Sequence, residues 1–429
     1  MLYTVLDMLT IKKFKVITLG CRTNSYESQA YVDQLLGMGC CQVGEEEEAD
    51  FCIVNTCTVT QGADASSRHA VRSLARAHPN AQIVVTGCLA ERAPKELEGL
   101  PGVTHVIPNR HKEDLLSQIF PNEEWPEFST RRFTEQTRAF IKVQDGCNSF
   151  CSYCILPYVR GRSRSRRLTD IIKEVQTLIA HGHKEIVLTG INVGDFDGAP
   201  ETGEAPLRLV DLVRAVDRVE GLERLRISSI DPDEVDDELL LAVLEGKTTC
   251  HSMHIVLQSG SNVILKRMNR KYTREIFLDT IDKIRKKSPD FTFTTDVIVG
   301  FPGESEHDFQ DSLDVMDEVR FAKVHMFPYS KRERTRAALY PHHLPSELIN
   351  ERKAKMLQMA ERHAFALRER YIGRRLSVLF EESDNEQFLT GHTQNFLPVF
   401  IQKNEGRAND IRDVEILSNQ PEGLFGRVI

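Results

Sequence analysis

The 429-residue chain predicts a mixed α/β protein in three blocks: an open parallel α/β sheet over residues 12–130, a partial (β/α)6 barrel over 131–365 and a small β-barrel over 366–429. Three observations predict it. Strand-like apolar runs alternate with helical patterns through the first two blocks, as parallel sheets require. Six such runs recur in the middle block. Near residue 366 helical periodicity gives way to short alternating runs. A chain of this length also exceeds what one hydrophobic core usually organises.

Composition narrows the setting. Ten cysteines are too sparse for a disulfide scaffold, and Met1 to Lys15 carry Asp7 inside a short apolar run with no small-residue cleavage site, so no export signal is expected. No apolar stretch approaches the roughly 20 residues of a bilayer span. A soluble, reduced cytoplasmic protein with no membrane partner is expected, in which clustered thiols suggest metal. The net charge of -8 advertises no polyanionic partner for the chain as a whole, so local patches have to carry any such role.

In the first block, the runs Lys15–Leu19, Phe51–Asn55 and Ile83–Thr86 read as strands, and Cys21, Cys57 and Cys88 each follow one within two residues. Loops beyond the carboxyl ends of an open α/β sheet gather along one edge, where ligands bind. Three thiolates remote in sequence are therefore expected to converge as a three-thiolate cluster site. Asn24 and Asn55 beside them are either amide donors to cluster sulfur or turn formers.

The middle block shows strand-like runs at Ala139–Val143, Glu185–Thr189, Arg224–Ser228, Met253–Leu257, Thr292–Val299 and Lys323–Phe327. Between the first two, Thr169 is placed to cap a helix whose apolar residues Ile171, Ile172, Val175, Leu178 and Ile179 share a face and which ends near Gly182. Six βα units suggest a partial barrel with its reactive end at the strand carboxyl termini. Just beyond the first strand stand Cys147, Cys151 and Cys154, spaced C-x3-C-x2-C. A four-iron cluster normally takes four thiolates, so three leave one iron open to a small chelator with an amine and a carboxylate. S-adenosylmethionine (SAM) fits that description. Immediately afterwards Arg160, Arg162, Arg164, Arg166 and Arg167 fall within eight residues with no acid. In an extended segment the first four share one side, which suits either a phosphate backbone or a solvated basic loop. Lys266 to Arg270 lies on an expected helix as solubilising charge, and Gly246-Lys247-Thr248 reads as a helix-ending turn.

The last block offers Leu376–Glu382, Phe388–Thr393, Leu397–Ile401 and Val414–Ser418 as strands of the small barrel. From Tyr371 onward six Lys or Arg face nine Asp or Glu, so nucleic-acid binding here has to rest on shape and aromatic contacts. Phe388 and Phe396 are either base-stacking or core residues.

The cysteine spacing, with an aromatic before the last cysteine, resembles the radical SAM signature. Together with Thr18-Leu19-Gly20-Cys21-Arg22-Thr23-Asn24, Asn55-Thr56-Cys57-Thr58-Val59-Thr60, Thr86-Gly87-Cys88-Leu89-Ala90 and Leu257-Gln258-Ser259-Gly260-Ser261, it makes nearly the whole chain resemble the radical SAM methylthiotransferases. Leu19 beside Gly20-Cys21 and the run Ile141 to Asn148 look most like the branch acting on N6-threonylcarbamoyladenosine next to the tRNA anticodon. The resemblance implies an auxiliary-cluster domain, a radical SAM core and a C-terminal TRAM domain that contacts RNA. It implies two 4Fe-4S clusters, held by the two cysteine triads, and two SAM molecules, one methylating sulfur and one cleaved reductively to activate adenine C2. It implies no catalytic residue beyond the cluster ligands.

The same resemblance suggests a SAM site. Thr189, Gly190 and Asn192 would meet the methionine end, Ser228 and Ser229 the ribose or carboxylate, and Gly300 to Gly303 the adenine, although a glycine turn is equally a matter of backbone geometry. Gln258 and Ser259 face either the substrate or their own turn. The anticodon stem-loop would be held by Arg160 to Arg167 and by Lys331, Arg332, Arg334 and Arg336. An external electron donor and a sulfur donor are required partners. Competing readings are methylthiolation of isopentenyladenosine or of a ribosomal-protein aspartate, and a non-enzymatic zinc-containing RNA-binding module.

Overall fold

A computed structural model describes residues 13–44, 47–133, 137–382 and 385–429. Most of the stretch Met1 to Lys15, on which the expectation of no export signal rests, therefore lies outside the described residues. The chain divides into two compact units, one running to Arg132 and including Cys154–Arg162, the other comprising Phe133–Tyr153 and Ser163–Ile429. The segment after the cysteine loop thus belongs with the first unit, not with the 131–365 block in which the sequence reading places it. The expected boundary at 365/366 falls inside one long helix, Ser346–Glu369.

In the first unit β1 (Lys13–Thr18), β2 (Cys41–Gln42), β3 (Phe51–Thr56), β4 (Gln82–Gly87) and β5 (Val103–Val106) form one parallel sheet in the order β2-β1-β3-β4-β5. The central strand β3 is buried along its whole length. Its alternate residues serve two cores, as the period of a strand dictates. Phe51 and Ile53 pack with Tyr31 and Leu35 of the helix Arg22–Gly37. Cys52 and Val54 pack with Val71 and Leu74 of the helix Gln61–Ala77. Register is level across the middle of the sheet, Thr18 opposite Asn55 and Asn55 opposite Thr86. Three strand ends therefore open onto the same edge.

The second unit begins with β6 (Arg138–Lys142), then β7 (Gln144–Asp145) and β8 (Arg164–Ser165), a short antiparallel pair flanking the cysteine loop. β9 (Glu185–Thr189), β10 (Arg224–Ile227), β11 (Ser252–His254), β12 (Thr292–Val299) and β13 (Lys323–Pro328) follow, all parallel to β6. Two three-stranded sheets, β10-β9-β6 and β11-β12-β13, are stitched by parallel bridges Leu225–Thr249 and Ile230–Ile255. All six expected strands of the partial barrel are present. One set of alternate residues, among them Ile141, Leu188, Leu225, Met253 and Val297, packs against the surrounding helices in a single core. The helix predicted from Thr169 runs Leu168–Ala180, with Arg167 at its N-cap; Thr169 stands inside the first turn, its hydroxyl near the Asp170 carboxylate. Gly246 ends the helix Asp237–Glu245, as expected of a turn.

At the end of the chain β14 (Arg375–Glu381), β15 (Phe388–Thr393), β16 (Pro398–Gln402), β17 (Ile411–Gln420) and β18 (Gly423–Val428) close into a barrel in the order β14-β15-β16-β18-β17. The sequence reading lacked β18, whose Gly423-Leu424-Phe425-Gly426 run carries two glycines and a weak alternation.

Two buried arginines at the start of β10 fasten this barrel to the six-stranded one. Arg224 donates to the carbonyls of His392 and Ser377, each at 2.9 Å. Arg226 donates to the carbonyls of Gln394 at 2.9 Å and Thr393 at 2.8 Å, and pairs with Glu185 at 2.6 Å. Phe396 lies under the guanidinium groups of Arg138 and Arg226 and stacks on His392, so it is a docking residue and not a base-stacking one. A buried guanidinium is tolerated because its donors are satisfied, and breaking a buried pair leaves a charge stranded at a cost of about 3–5 kcal/mol. Arg226→Ala is expected to destabilise the protein by about that amount and to hasten cleavage within residues 370–429. Urea unfolding and limited proteolysis with mass mapping check this.

Candidate iron-sulfur and SAM sites

In the first unit each cysteine of the triad is placed by a strand end. Cys21 is the N-cap of the helix Arg22–Gly37, Cys57 follows β3, and Cys88 opens the short helix Cys88–Arg92. Two glycines make the convergence possible. A Cβ on Gly20, at φ +104°, would stand 2.9 Å from Cys57 Sγ, and one on Gly87, at φ +91°, would stand 2.5 Å from the Thr56 carbonyl. Thr56 reinforces the edge, donating to the Thr86 carbonyl at 2.5 Å and accepting from Leu89 N at 3.2 Å. The thiols sense one another: burial pushes Cys88 up to about 12, and Cys21 and Cys57 push in the same direction. Burial likewise raises Cys57.

The asparagines beside the triad act on the backbone. Asn24 Nδ2 donates to the carbonyls of Leu19 at 2.6 Å and Thr56 at 3.1 Å, while Asn55 Nδ2 donates to the Asn24 carbonyl at 3.1 Å and to Ser28 Oγ at 3.2 Å. Their amide protons are thereby committed, and the expectation that they reach cluster sulfur is replaced by a loop-fixing role. It is Asn24 Oδ1 that faces Cys21 Sγ, at 3.7 Å.

In the second unit the signature loop is held from three sides. Gln144 donates to the Gly146 carbonyl at 2.8 Å, and its Oε1 accepts from Ile191 N and Asn192 N at 3.0 and 2.9 Å, joining the loop to the turn after β9. Gly190 is required there, since its Cβ would lie 2.9 Å from Gln144 Oε1. Below the loop runs the turn Arg267–Arg270. The Met268 carbonyl accepts from Ser152 N at 2.8 Å, and Asn269 Nδ2 donates to the Phe150 carbonyl at 3.2 Å. Sulfur itself receives N–H groups, Ser149 N onto Cys147 at 3.4 Å and Arg270 Nη1 onto Cys151 at 3.0 Å. Arg270 is therefore no solubilising charge. Its side chain is largely covered, paired with Asp231 and lying over the Tyr272 ring. Only its neighbour Lys266 keeps the exposed role expected of the run.

The expected SAM residues take several parts. Thr189 is buried at the end of β9, its carbonyl accepting from Val143 N, and Asn192 donates to Glu234 at 2.9 Å. Ser228 is buried with its hydroxyl unpartnered, Ser229 beside it is exposed, and Gln258 Oε1 is likewise buried without a hydrogen bond. Gln258 also has φ 62°, a left-handed backbone that a side chain rarely adopts. Ser259 caps its own turn, accepting from Ser261 N at 3.2 Å. Gly300 and Gly303 have φ +76° and +77° and pack against Ile349 and Arg267, which accounts for the lack of side chains there. Sequence reasoning missed His254, whose Nδ1 is bonded to Thr294 Oγ1 at 2.9 Å and whose Nε2 lies 3.3 Å from Asp296 Oδ1, with His325 beside it. The signal was available as polar residues recurring every second position in otherwise apolar strands.

The basic residues do not form the single row expected. Arg160 ends the short helix Leu156–Val159 and is buried against Glu27 and Asn24. Arg164 pairs with Asp145 at 3.0 Å, Arg166 with Glu174 at 2.6 Å, and Arg167 with Glu201. Arg162, Arg164 and Arg167 are exposed, as are Lys331, Arg334 and Arg336, but Arg332 is buried. Arg160 and Arg332 are thus corrected from surface contacts to interior ones, Arg160 because Glu27 and Asn24 take it inward.

The donor sets fit iron-sulfur clusters. All six cysteines are free of disulfides, each triad offers three thiols, and in the signature loop N–H groups are aimed at sulfur. Among the described residues no group of three His, Cys, Asp or Glu is placed to hold a single metal ion. A cubane spreads its thiolates over separate irons.

The radical SAM superfamily model matches residues 141–316, and the uncharacterised family UPF0004 matches 13–108. A threonylcarbamoyladenosine tRNA methylthiotransferase of Chlamydia pneumoniae is 45% identical over 97% of this chain and 98% of its own. The chain belongs to the radical SAM methylthiotransferase family. A relative in Bacillus subtilis with the same designation is 36% identical over 96% of both chains. A tRNA-2-methylthio-N(6)-dimethylallyladenosine synthase of Clostridium perfringens is 34% identical over 97% of this chain and 98% of its own. In fold this methylthiotransferase is similar to the radical SAM methyltransferase TsrM from Kitasatospora setae, with a TM-score of 0.56 at 13% identity over 76% of this chain and 74% of that one.

Glu234 links the turn after β9 to Asp231, the partner of Arg270. Burial, then the neighbouring Asp231 charge, raises its carboxyl to about 7. A carboxyl raised on folding stabilises below its unfolded value near 4.5, and that contribution is lost as pH climbs through 7. Glu234→Gln is therefore expected to be more stable than the parent at pH 8 by about 2–3 kcal/mol and no more stable at pH 4. Urea midpoints at both pH values check the sign.

Proposed function

We propose that the chain methylthiolates C2 of N6-threonylcarbamoyladenosine next to the anticodon of tRNA, using two 4Fe-4S clusters and two SAM molecules. The observation that carries this reading is the 45% identity, over essentially full length, to a relative designated for that substrate. Cys147, Cys151 and Cys154 would hold the cluster that binds SAM, and Cys21, Cys57 and Cys88 the second one. When bound, these groups supply reductive SAM cleavage, hydrogen abstraction from an unactivated carbon, and sulfur. The chain's own part is to hold and orient. Gln144 fixes the signature loop to the turn at Asn192, Arg270 donates to Cys151, and the unpartnered Ser228 and Gln258 side chains offer hydrogen bonds to a ligand.

For RNA, the exposed cations Arg162, Arg164, Arg167, Lys331, Arg334 and Arg336 would meet phosphates. On the C-terminal barrel Phe388, Phe400 and Phe425 line a groove with Leu417 and would stack unpaired bases. An external reductant and a sulfur donor complete the reaction, and a cytoplasmic location goes with a tRNA substrate.

Cys154→Ala is expected to abolish 5'-deoxyadenosine release, whereas Cys88→Ala retains measurable release but forms no methylthio product. Reconstituted variants assayed for both products test this. Nucleoside mass spectrometry of a deletion strain, before and after complementation, identifies the substrate. Loss of the 2-methylthio form of the threonylcarbamoyl nucleoside supports the reading, and loss only of the dimethylallyl one overturns it.

A further inference from the structure

Glu27, on the helix that Cys21 caps, is buried, and so are the two cations that meet it. Lys112 Nζ lies 2.5 Å and Arg160 Nη1 3.0 Å from the same Oε1. Arg160 comes from the segment just past the signature cysteines, and its other guanidinium nitrogen donates to Asn24 Oδ1, the oxygen that also faces Cys21 Sγ. The segment is seated as well as paired. Ile155 and Val159 pack against Cys88, and the Val159 carbonyl accepts from Asn109 Nδ2 at 2.9 Å. One cation, fixed at several points, thus stands beside the triad formed by Cys21, Cys57 and Cys88.

We propose that Arg160 is a positioning residue for the auxiliary cluster, its buried guanidinium raising that cluster's reduction potential while its bonds to Glu27 and Asn24 seat the Cys154–Arg162 segment beside the triad. The proposal rests on the reading that this triad holds iron and sulfide. A reduced cluster carries one more negative charge than an oxidised one, so a fixed cation nearby favours reduction, and a site screened from water strengthens the effect. A residue on the stretch following one cysteine triad thereby sets the electrostatics of the other.

The test uses the full-length chain with Cys147, Cys151 and Cys154 all replaced by alanine, so that only the auxiliary cluster remains. In this background Arg160→Gln, Arg160→Lys and Glu27→Gln are reconstituted, their iron and sulfide counted, and their midpoint potentials measured by EPR-monitored titration. Arg160→Gln is expected to shift the potential to more negative values, Arg160→Lys to restore most of it, and Glu27→Gln to shift it upward. A purely structural role would admit water and move Arg160→Gln upward instead, and that result, or no shift, overturns the proposal. If Arg160→Gln does not fold, the Lys and Glu27 variants decide: the parent's potential in Arg160→Lys with a rise in Glu27→Gln supports it, and no rise overturns it. Absence of iron from the triple-alanine parent refutes the auxiliary-cluster reading itself, which separates the two failures.

Discussion

Parallel pairing of strands is the constraint on which the remaining architecture depends. When neighbouring strands run the same way and in level register, every carboxyl end opens onto one edge, and short loops there meet without long excursions. The first unit uses this to gather Cys21, Cys57 and Cys88 from β1, β3 and β4. The second uses it to set the signature loop after β6 beside the turn after β9, with Gln144 bonded across. An antiparallel sheet would send alternate loops to the opposite edge. Gly20 and Gly87 are corollaries: once the loops meet so closely, a Cβ at either position has no room.

Much of this was legible because it follows from periodicity and spacing. All six strands of the partial barrel and the post-strand cysteines could be read from alternating apolar runs and their polar punctuation. What sequence reasoning missed shares a physical cause, since it concerns where long cationic side chains go. Arg160 and Arg270 both sit in runs that look solvated, yet each is drawn inward by a carboxylate remote in sequence, Glu27 and Asp231. Nothing in local composition announces such a partner. The hydrogen-bond economy of Asn24 and Asn55 was equally hidden, because their acceptors are backbone carbonyls that only the fold brings near. β18 escaped because Gly423 and Gly426 dilute its pattern, and the fold requires both: a Cβ on either would stand within 2.8 Å of neighbouring strand atoms.

Three arginines therefore carry weight out of proportion to their number. Arg270 belongs to the signature loop, Arg160 to the cysteine edge of the first unit, and Arg226 to the seam with the C-terminal barrel. In each case a guanidinium is used where a lysine would leave bonds unmade, because its planar fork serves several acceptors at once. Arg226 meets a carboxylate and two carbonyls together.

That seam bears on inheritance. The small barrel is stitched to its neighbour through main-chain carbonyls of His392, Thr393 and Gln394 and through the Phe396 ring wedged beneath Arg138 and Arg226. Genes that gained or lost this terminal module by recombination would have to bring compatible residues at the amino ends of β6, β9 and β10 along with it. A breakpoint inside the helix Ser346–Glu369 is thus not a neutral joint, and the ancestral exchange of such modules is constrained by a surface built from strands far upstream of it.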